Sequence, residues 1–187
     1  HVGSNCDWLP DDRVRERDWG IFGATPYAER LERFPDTERM RKLNRWYAAL
    51  DGGESQAGVV FLGVRDLWDT LHREMEGQRV IIVSHGDKIN AIRFLTEHML
   101  PEEYDAMKED EAQDITNGSV VIYNRVNPED PTDIRPKVKW RRMVRPDDLD
   151  NSPFGGEWAE LPGRRYFRGA DLRRTVEAFP RLLDDES

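Results

Sequence analysis

The pattern of apolar and polar positions along the chain predicts helices that alternate with a few short strands. Apolar residues recur at helical spacing over 55–76, which predicts a long helix with one buried stripe. The run 79–83 is short and mostly β-branched, which is typical of a buried, parallel strand. A second strand is predicted at 119–123, and a charged edge strand at 137–143. These elements together predict an α/β domain.

Shorter helices are predicted on both sides of these elements. Their positions are 27–34, from Asp36 onward, 101–109 and 169–183. In the last of them, helical spacing places three apolar residues inside: Leu172, Val176 and Phe179.

The end of the chain differs from the rest in composition. Residues 145–163 are rich in proline, glycine and acidic side chains, which indicates an irregular segment. We therefore divide the chain into an α/β domain over 1–144 and a C-terminal extension over 145–187. The extension is expected to pack on the domain or on a partner.

Length, charge and cysteine content narrow the classes of function. The 187 residues are enough for one domain with a full core and too few for two. The formal net charge of −9 argues against general nucleic-acid binding and against attachment to an anionic membrane, although a local arginine cluster can still bind an anionic substrate. Cys6 is the single cysteine, so a disulfide framework is excluded, and no apolar run approaches a membrane span. These features predict a cytoplasmic protein.

A histidine follows the predicted strand at 79–83. The turn Ser84-His85-Gly86 places His85 and Gly86 between the strand and the next helix. Ligands of open α/β sheets bind at this end of the strands, and the backbone N–H groups that begin a helix favour an anion such as phosphate. The alternative is an ordinary strand-turn-helix whose histidine only satisfies its own hydrogen bonds.

A charged segment near the start of the chain offers a second candidate group. In RVRERDWGIFG, Glu16 lies among Arg13, Arg15 and Arg17, and Trp19 follows. A bound phosphate would offset the arginines and favour a proton on Glu16, which a general acid needs. The alternative is a solvated charged segment, the commoner fate of such runs.

Four motifs together resemble the histidine phosphatase superfamily, the phosphoglycerate mutase-like fold. They are RVRERDWGIFG, DGGES, RVIIVSHGDKINAIRF and TNGSVVIYN, in the family's order over roughly residues 9–125. The resemblance implies a three-layer α/β/α sandwich with a mostly parallel sheet. It also implies catalysis by two histidines, one of which becomes phosphohistidine, with no metal and no cofactor.

The resemblance assigns roles to particular residues. His85 would stabilise the transferring phosphoryl group, and Glu16 would be the proton donor. The residues expected to bind substrate are Arg13, Arg15, Trp19, Gly86 and Asn117.

The sequence departs from the family at the nucleophile. The motif Arg-His-Gly, which carries the attacking histidine, does not occur anywhere in the chain. Two explanations remain: the motif lies upstream of His1 in a longer protein, or the protein is a non-catalytic relative that binds a phosphorylated ligand or a protein partner. We expect the first, and therefore a phosphatase, or less readily a mutase, that acts on a small phosphomonoester.

Oligomeric state is left open by the sequence. The aromatic residues of the extension could cover a sheet edge of the same chain or of a second copy, which would give a homodimer. These residues are Phe154, Trp158, Tyr166 and Phe167.

Overall fold

The computed structural model describes residues 7–178, in which helices surround an aromatic and aliphatic core. The α-helices are α1 (Tyr27–Arg33), α2 (Pro35–Leu43), α3 (Gln56–Val59), α4 (Arg65–Glu74), α5 (Gly86–Thr96), α6 (Pro101–Glu109) and α7 (Gly169–Ala178). Short 3₁₀ turns lie at Asp12–Val14, Gly20–Phe22, Glu111–Gln113, Leu149–Asn151 and Pro153–Gly156. None of the helices within 7–178 combines the length and the apolar character that crossing a membrane requires.

The predicted long helix is confirmed, but its interior is not a regular α-helix. A π-helical turn, Val60–Val64, joins α3 to α4, so helical structure runs from residue 56 to residue 74. Ser55 caps the start, because its Oγ accepts a hydrogen bond from the Gly58 N–H at 3.0 Å. The predicted helices at 27–34 and 101–109 are also confirmed.

The strands within 7–178 form an antiparallel sheet in the order β1-β2-β3. These strands are β1 (Val120–Asn124), β2 (Trp140–Val144) and β3 (Ala159–Glu160). Val121 lies opposite Met143, and Trp140 lies opposite Glu160. The predictions of strands near 119–123 and 137–143 are therefore confirmed, whereas the mostly parallel sheet is not what these residues form.

The prediction of a buried strand at 79–83 is wrong for the residues that the structure describes. Ile81 is 59% exposed and Val83 is 70% exposed. Within 7–178, no backbone group of residues 79–84 forms a hydrogen bond with another backbone group. The apolar pattern reports side chains that are suited to burial, but a strand also needs a neighbour to complete the ladder of hydrogen bonds. The segment is thus extended chain with an open apolar surface.

The core lies between the long helix and α5. Val60 and Val64 of the π turn are fully buried, as is Ala91 of α5. Trp46 stacks on Phe94 with ring centroids 3.7 Å apart. This packing holds α5, which directly follows the candidate histidine, against the long helix.

Part of the C-terminal segment packs on the sheet. Leu161 is buried, and its backbone oxygen accepts a hydrogen bond from Lys139 Nζ at 3.0 Å. In α7, however, Leu172 and Val176 are 54% and 70% exposed, so the prediction that they lie inside is wrong. Phe179 lies outside the described residues. Helical spacing predicts that these apolar residues share one face of α7, but it does not show whether other residues cover that face.

Candidate functional site

Two segments that are distant in the sequence meet at the start of α5. Residues 14–17 lie alongside residues 84–87, and three pairs of residues connect them. Ser84 Oγ donates to Val14 O at 2.6 Å, Glu16 Oε2 lies 3.7 Å from His85 Nδ1, and Arg17 Nη2 lies 3.0 Å from Asp87 Oδ2. The structure therefore brings together the two residues that the sequence analysis assigned to catalysis.

A close approach of two loops fixes the segment that carries Glu16. Gly20 has φ of +49°, and a Cβ there would lie 2.2 Å from Asp51 O, so only glycine fits. The Glu54 N–H also donates to Asp18 O at 2.9 Å. The DGGES motif thus has a structural effect, because its backbone anchors the loop that follows Glu16.

The Glu16 and His85 side chains are partly open to solvent. They are 41% and 55% exposed, and their separation is an ion-pair distance rather than a hydrogen bond. Glu16 Oε1 accepts a hydrogen bond from the Arg17 backbone N–H at 2.7 Å, which leaves Oε2 on the side of His85. A carboxyl group and an imidazole are thus placed at the start of a helix, where backbone N–H groups favour an anion.

A buried charge pair lies directly behind this exposed pair. The side chains of Arg17 and Asp87 are 9% and 14% exposed, and the Arg17 guanidinium lies 4.0 Å from the centre of the Trp19 ring. Gln56 Nε2 donates to Asp87 O at 2.8 Å. The charge contact is close but is not an aligned hydrogen bond, since Asp87 Oδ2 has no hydrogen-bond partner within 7–178. Sequence reasoning did not single out this pair, although opposite charges next to both site residues were a visible signal.

The two arginines predicted to bind substrate are already bound to carboxylates. Arg13 contacts Asp11 and Asp66, both at 2.6 Å, and these hydrogen bonds raise the pKa of Arg13. Arg15 Nη2 lies 2.8 Å from Glu54 Oε1, and this hydrogen bond raises the pKa of Arg15. Their charges are therefore largely neutralised by neighbours.

The other three residues predicted to bind substrate lie around the same helix start or near it. The guanidinium groups of Arg17 and Arg30 lie 4.0 Å and 5.8 Å from the centre of the Trp19 ring. Gly86 is the first residue of α5, and a Cβ on it would lie 3.8 Å from Ile115 O. Asn117, two positions after Ile115, is exposed, and its side chain has no hydrogen bond to another residue of the described range.

Sequence reasoning also missed Lys88, which lies one helical turn after His85. Lys88 is only 4% exposed, and burial lowers the pKa of its ammonium group. The charges that act on it are, in order, those of Glu54, Arg15 and Glu16. No local pattern distinguishes this lysine from an exposed one, because its burial depends on residues more than twenty positions away.

Comparison with known proteins identifies the family. The family model of the histidine phosphatase superfamily (branch 1) matches residues 2–128. The chain therefore belongs to this superfamily, as its four motifs indicated, and the superfamily fold is α/β. A search of the curated proteins gives no match.

A solved structure with the description "Mycobacterial hydrolase 1" has a similar fold. The two chains are 20% identical, with a TM-score of 0.51, over 71% of this chain and 61% of that chain. This chain thus spans about three-fifths of the length of that protein. At such identity the likeness concerns the fold.

Proposed function

We propose that the complete protein hydrolyses a small phosphomonoester through a phosphohistidine intermediate. The observation that supports this proposal most strongly is the approach of Glu16 Oε2 to His85 Nδ1, 3.7 Å, at the start of α5. Both residues occupy positions that the superfamily resemblance assigns to catalysis. The same site at the end of the extended segment 79–83 is where an α/β fold binds anions.

The proposed reaction has two steps. A nucleophilic histidine nitrogen attacks phosphorus, the bond from phosphorus to the ester oxygen breaks, and Glu16 donates its proton to the leaving oxygen. Water then gives a proton to the Glu16 carboxylate and attacks phosphorus, the bond from phosphorus to the histidine nitrogen breaks, and inorganic phosphate leaves. A protonated His85 and the N–H groups of α5 stabilise the charge on the equatorial oxygens in both steps.

The nucleophile is proposed to come from a segment that is not part of these 187 residues. Arg-His-Gly does not occur in the chain, while residues 79–84 leave backbone groups unpaired within 7–178. Val80, Ile81 and Val83 are 45–70% exposed, so a neighbouring strand would gain both hydrogen bonds and apolar contact. A strand that ended in Arg-His-Gly beside 79–83 would place its histidine near His85 and would complete a three-layer fold with a more parallel sheet.

A second candidate is a non-catalytic module of the same fold. The absence of Arg-His-Gly from the chain favours it, because a phosphorylated ligand or a protein partner could be bound without turnover. Detection of phosphohistidine separates the two functions. The 187 residues alone are expected to remain unphosphorylated with a phosphomonoester, whereas the complete protein is expected to become labelled.

The principal test is the substitution His85→Ala in the complete protein. Turnover of a phosphomonoester is expected to fall by about a hundredfold or more, as for removal of a preorganised charge-stabilising donor. The matched control is His72→Ala, since His72 is exposed on α4 and its polar and ring contacts within 7–178 are with Trp68. Full activity in the His85 variant would remove His85 from the mechanism.

A second test addresses the proton donor. Glu16→Gln is expected to slow hydrolysis of alkyl phosphates much more than that of aryl phosphates, whose leaving groups scarcely need a proton. Glu32→Gln, at an exposed position of α1, is the control. Equal losses on both classes of substrate would show that Glu16 only holds its loop.

A further inference from the structure

The cations around the start of α5 differ in whether they already have an anionic partner. Arg13 is held by Asp11 and Asp66, and Arg15 by Glu54. Arg17 is paired with Asp87, and the His85 imidazole faces Glu16. Each of these groups can bind a substrate only if it breaks its contact with a carboxylate.

Lys88 is the exception in this group. Within 7–178 its ammonium group has no hydrogen bond and no ion pair, although the residue is 96% buried. Lys88 Nζ is not among the fully buried polar atoms of 7–178 that lack a hydrogen-bond partner, so the stem is buried while the ammonium keeps contact with solvent. Among titratable groups, the carboxylates of Glu54 and Glu16 attract it without direct contact, and Arg15 repels it.

The Lys88 ammonium lies beside the π turn of the long helix. A Cβ on Gly63 would lie 3.9 Å from Lys88 Nζ and 3.7 Å from Arg13 O, both ordinary van der Waals distances, so the ammonium lies against the backbone of the long helix at Gly63. Gly63 belongs to the π turn Val60–Val64, and π turns within helices are frequent at functional sites. The first turn of α5, which carries Lys88, has no side-chain cap on its N–H groups.

We infer that Lys88 is an anion-binding residue of this site, and that a phosphate oxygen of the substrate is its missing partner. The inference rests on the proposed function for the identity of the anion. It replaces the predicted substrate contacts of Arg13 and Arg15 with a contact from Lys88, a residue of the third motif to which the family resemblance assigns no role. The entering anion pairs with the ammonium and meets the positive end of α5 at the same time.

The experiment measures binding of inorganic phosphate by calorimetry to the 187-residue chain and to the complete protein. Lys88→Met removes the charge and keeps an apolar stem, and we expect it to weaken phosphate binding at least tenfold in both. Lys42→Met, at an exposed position of α2, is the matched control and should change the affinity by less than twofold. Arg15→Met should change it by less than threefold. Circular dichroism confirms that each variant is folded.

A second measurement does not depend on a variant. Titration of the Lys88 Cε resonance by NMR should show that saturating phosphate raises the pKa of the ammonium group, because a bound anion favours its charged form. An unchanged titration with phosphate bound overturns the inference. It is also overturned if Lys88→Met binds phosphate as tightly as the original chain, if Arg15→Met loses as much affinity, or if neither form of the protein binds phosphate.

The failure of this inference can be told apart from a failure of the proposed function. If the complete protein turns over phosphomonoesters and Lys88→Met leaves KM and phosphate affinity unchanged, the function stands and the role of Lys88 is wrong. If phosphate binding depends on Lys88 but no phosphohistidine forms, the role of Lys88 stands and the proposed reaction is wrong.

Discussion

Charged side chains at the two ends of α5 differ in whether they have a partner of opposite charge. At its C-terminal end, Arg93 and Glu97 are almost fully buried, and Glu97 accepts hydrogen bonds from Arg93, Arg141 and the Tyr123 hydroxyl. Burial, followed by the Glu97 carboxylate, raises the pKa of Tyr123, so the hydroxyl remains a donor. At the N-terminal end of the same helix, Lys88 is as buried as Glu97 but has no partner within 7–178.

The Glu97 network at the C-terminal end stabilises the fold, whereas the Lys88 ammonium at the N-terminal end has no carboxylate to pair with within 7–178. Hydrogen bonds among buried groups make a core rigid, and the Glu97 network connects α5 to β1 and β2, although Arg141 Nε has no hydrogen-bond partner within 7–178. The Lys88 ammonium has no carboxylate partner within 7–178 and is not fully enclosed, so an anion can pair with it without displacing a carboxylate. We expect substitutions at the two ends to have opposite effects on the free energy of unfolding.

The largest effect is expected at the C-terminal end. Glu97→Ala leaves two arginines without their carboxylate and should lower the free energy of unfolding by about 3–5 kcal/mol, as for breaking a buried ion pair. Urea denaturation followed by circular dichroism measures the loss. Tyr123→Phe is the control, because it removes one hydrogen bond and should lower the stability by about 1 kcal/mol. Similar losses for the two variants would mean that the network charges are not coupled.

An intermediate effect is expected for the pair that lies behind the candidate site. Arg17→Met, Asp87→Asn and the double variant form a thermodynamic cycle, whose coupling free energy we expect to be about 1–2 kcal/mol. The pair also positions Glu16, whose Oε1 is bonded to the Arg17 N–H. In the complete protein, Arg17→Met and Asp87→Asn should therefore lower kcat on alkyl phosphates more than kcat on aryl phosphates. Arg17→Lys should retain more of the kcat on alkyl phosphates than Arg17→Met does. Additive stability losses with unchanged kcat would refute a positioning role.

The smallest effect, and one of opposite sign, is expected for Lys88→Met in phosphate-free buffer. Burial lowers the pKa of Lys88 in the folded protein, so the folded state carries an unfavourable charge at neutral pH. Removing it should raise the free energy of unfolding by roughly 1 kcal/mol. This gain should shrink as the pH rises from the lowered value toward the ordinary lysine value of 10.5, because the lysine is then neutral in both states. A gain that is independent of pH would indicate better packing of methionine rather than loss of a charge.

How far the sequence predicts the structure depends on the range of the interaction. The helix at 101–109 and the helix beginning at Ser55 follow from local spacing and capping, and both are confirmed. The segment 79–83 has the same kind of local signal but lacks a partner strand within 7–178, so it forms no ladder. A helix satisfies its own backbone, whereas a strand depends on residues elsewhere in the chain.

Some features of the candidate site likewise follow from the local sequence, and others depend on contacts between distant segments. The sequence by itself determined the superfamily, the position of His85 at the start of a helix and the presence of Glu16 in a charged segment, because these are matters of residue type and short spacing. Only the tertiary structure decided which charges are neutralised: Arg15 finds Glu54 across 39 positions, while Lys88 finds no partner within 7–178. Charge pairing and burial depend on contacts between distant segments, and no local pattern records those contacts.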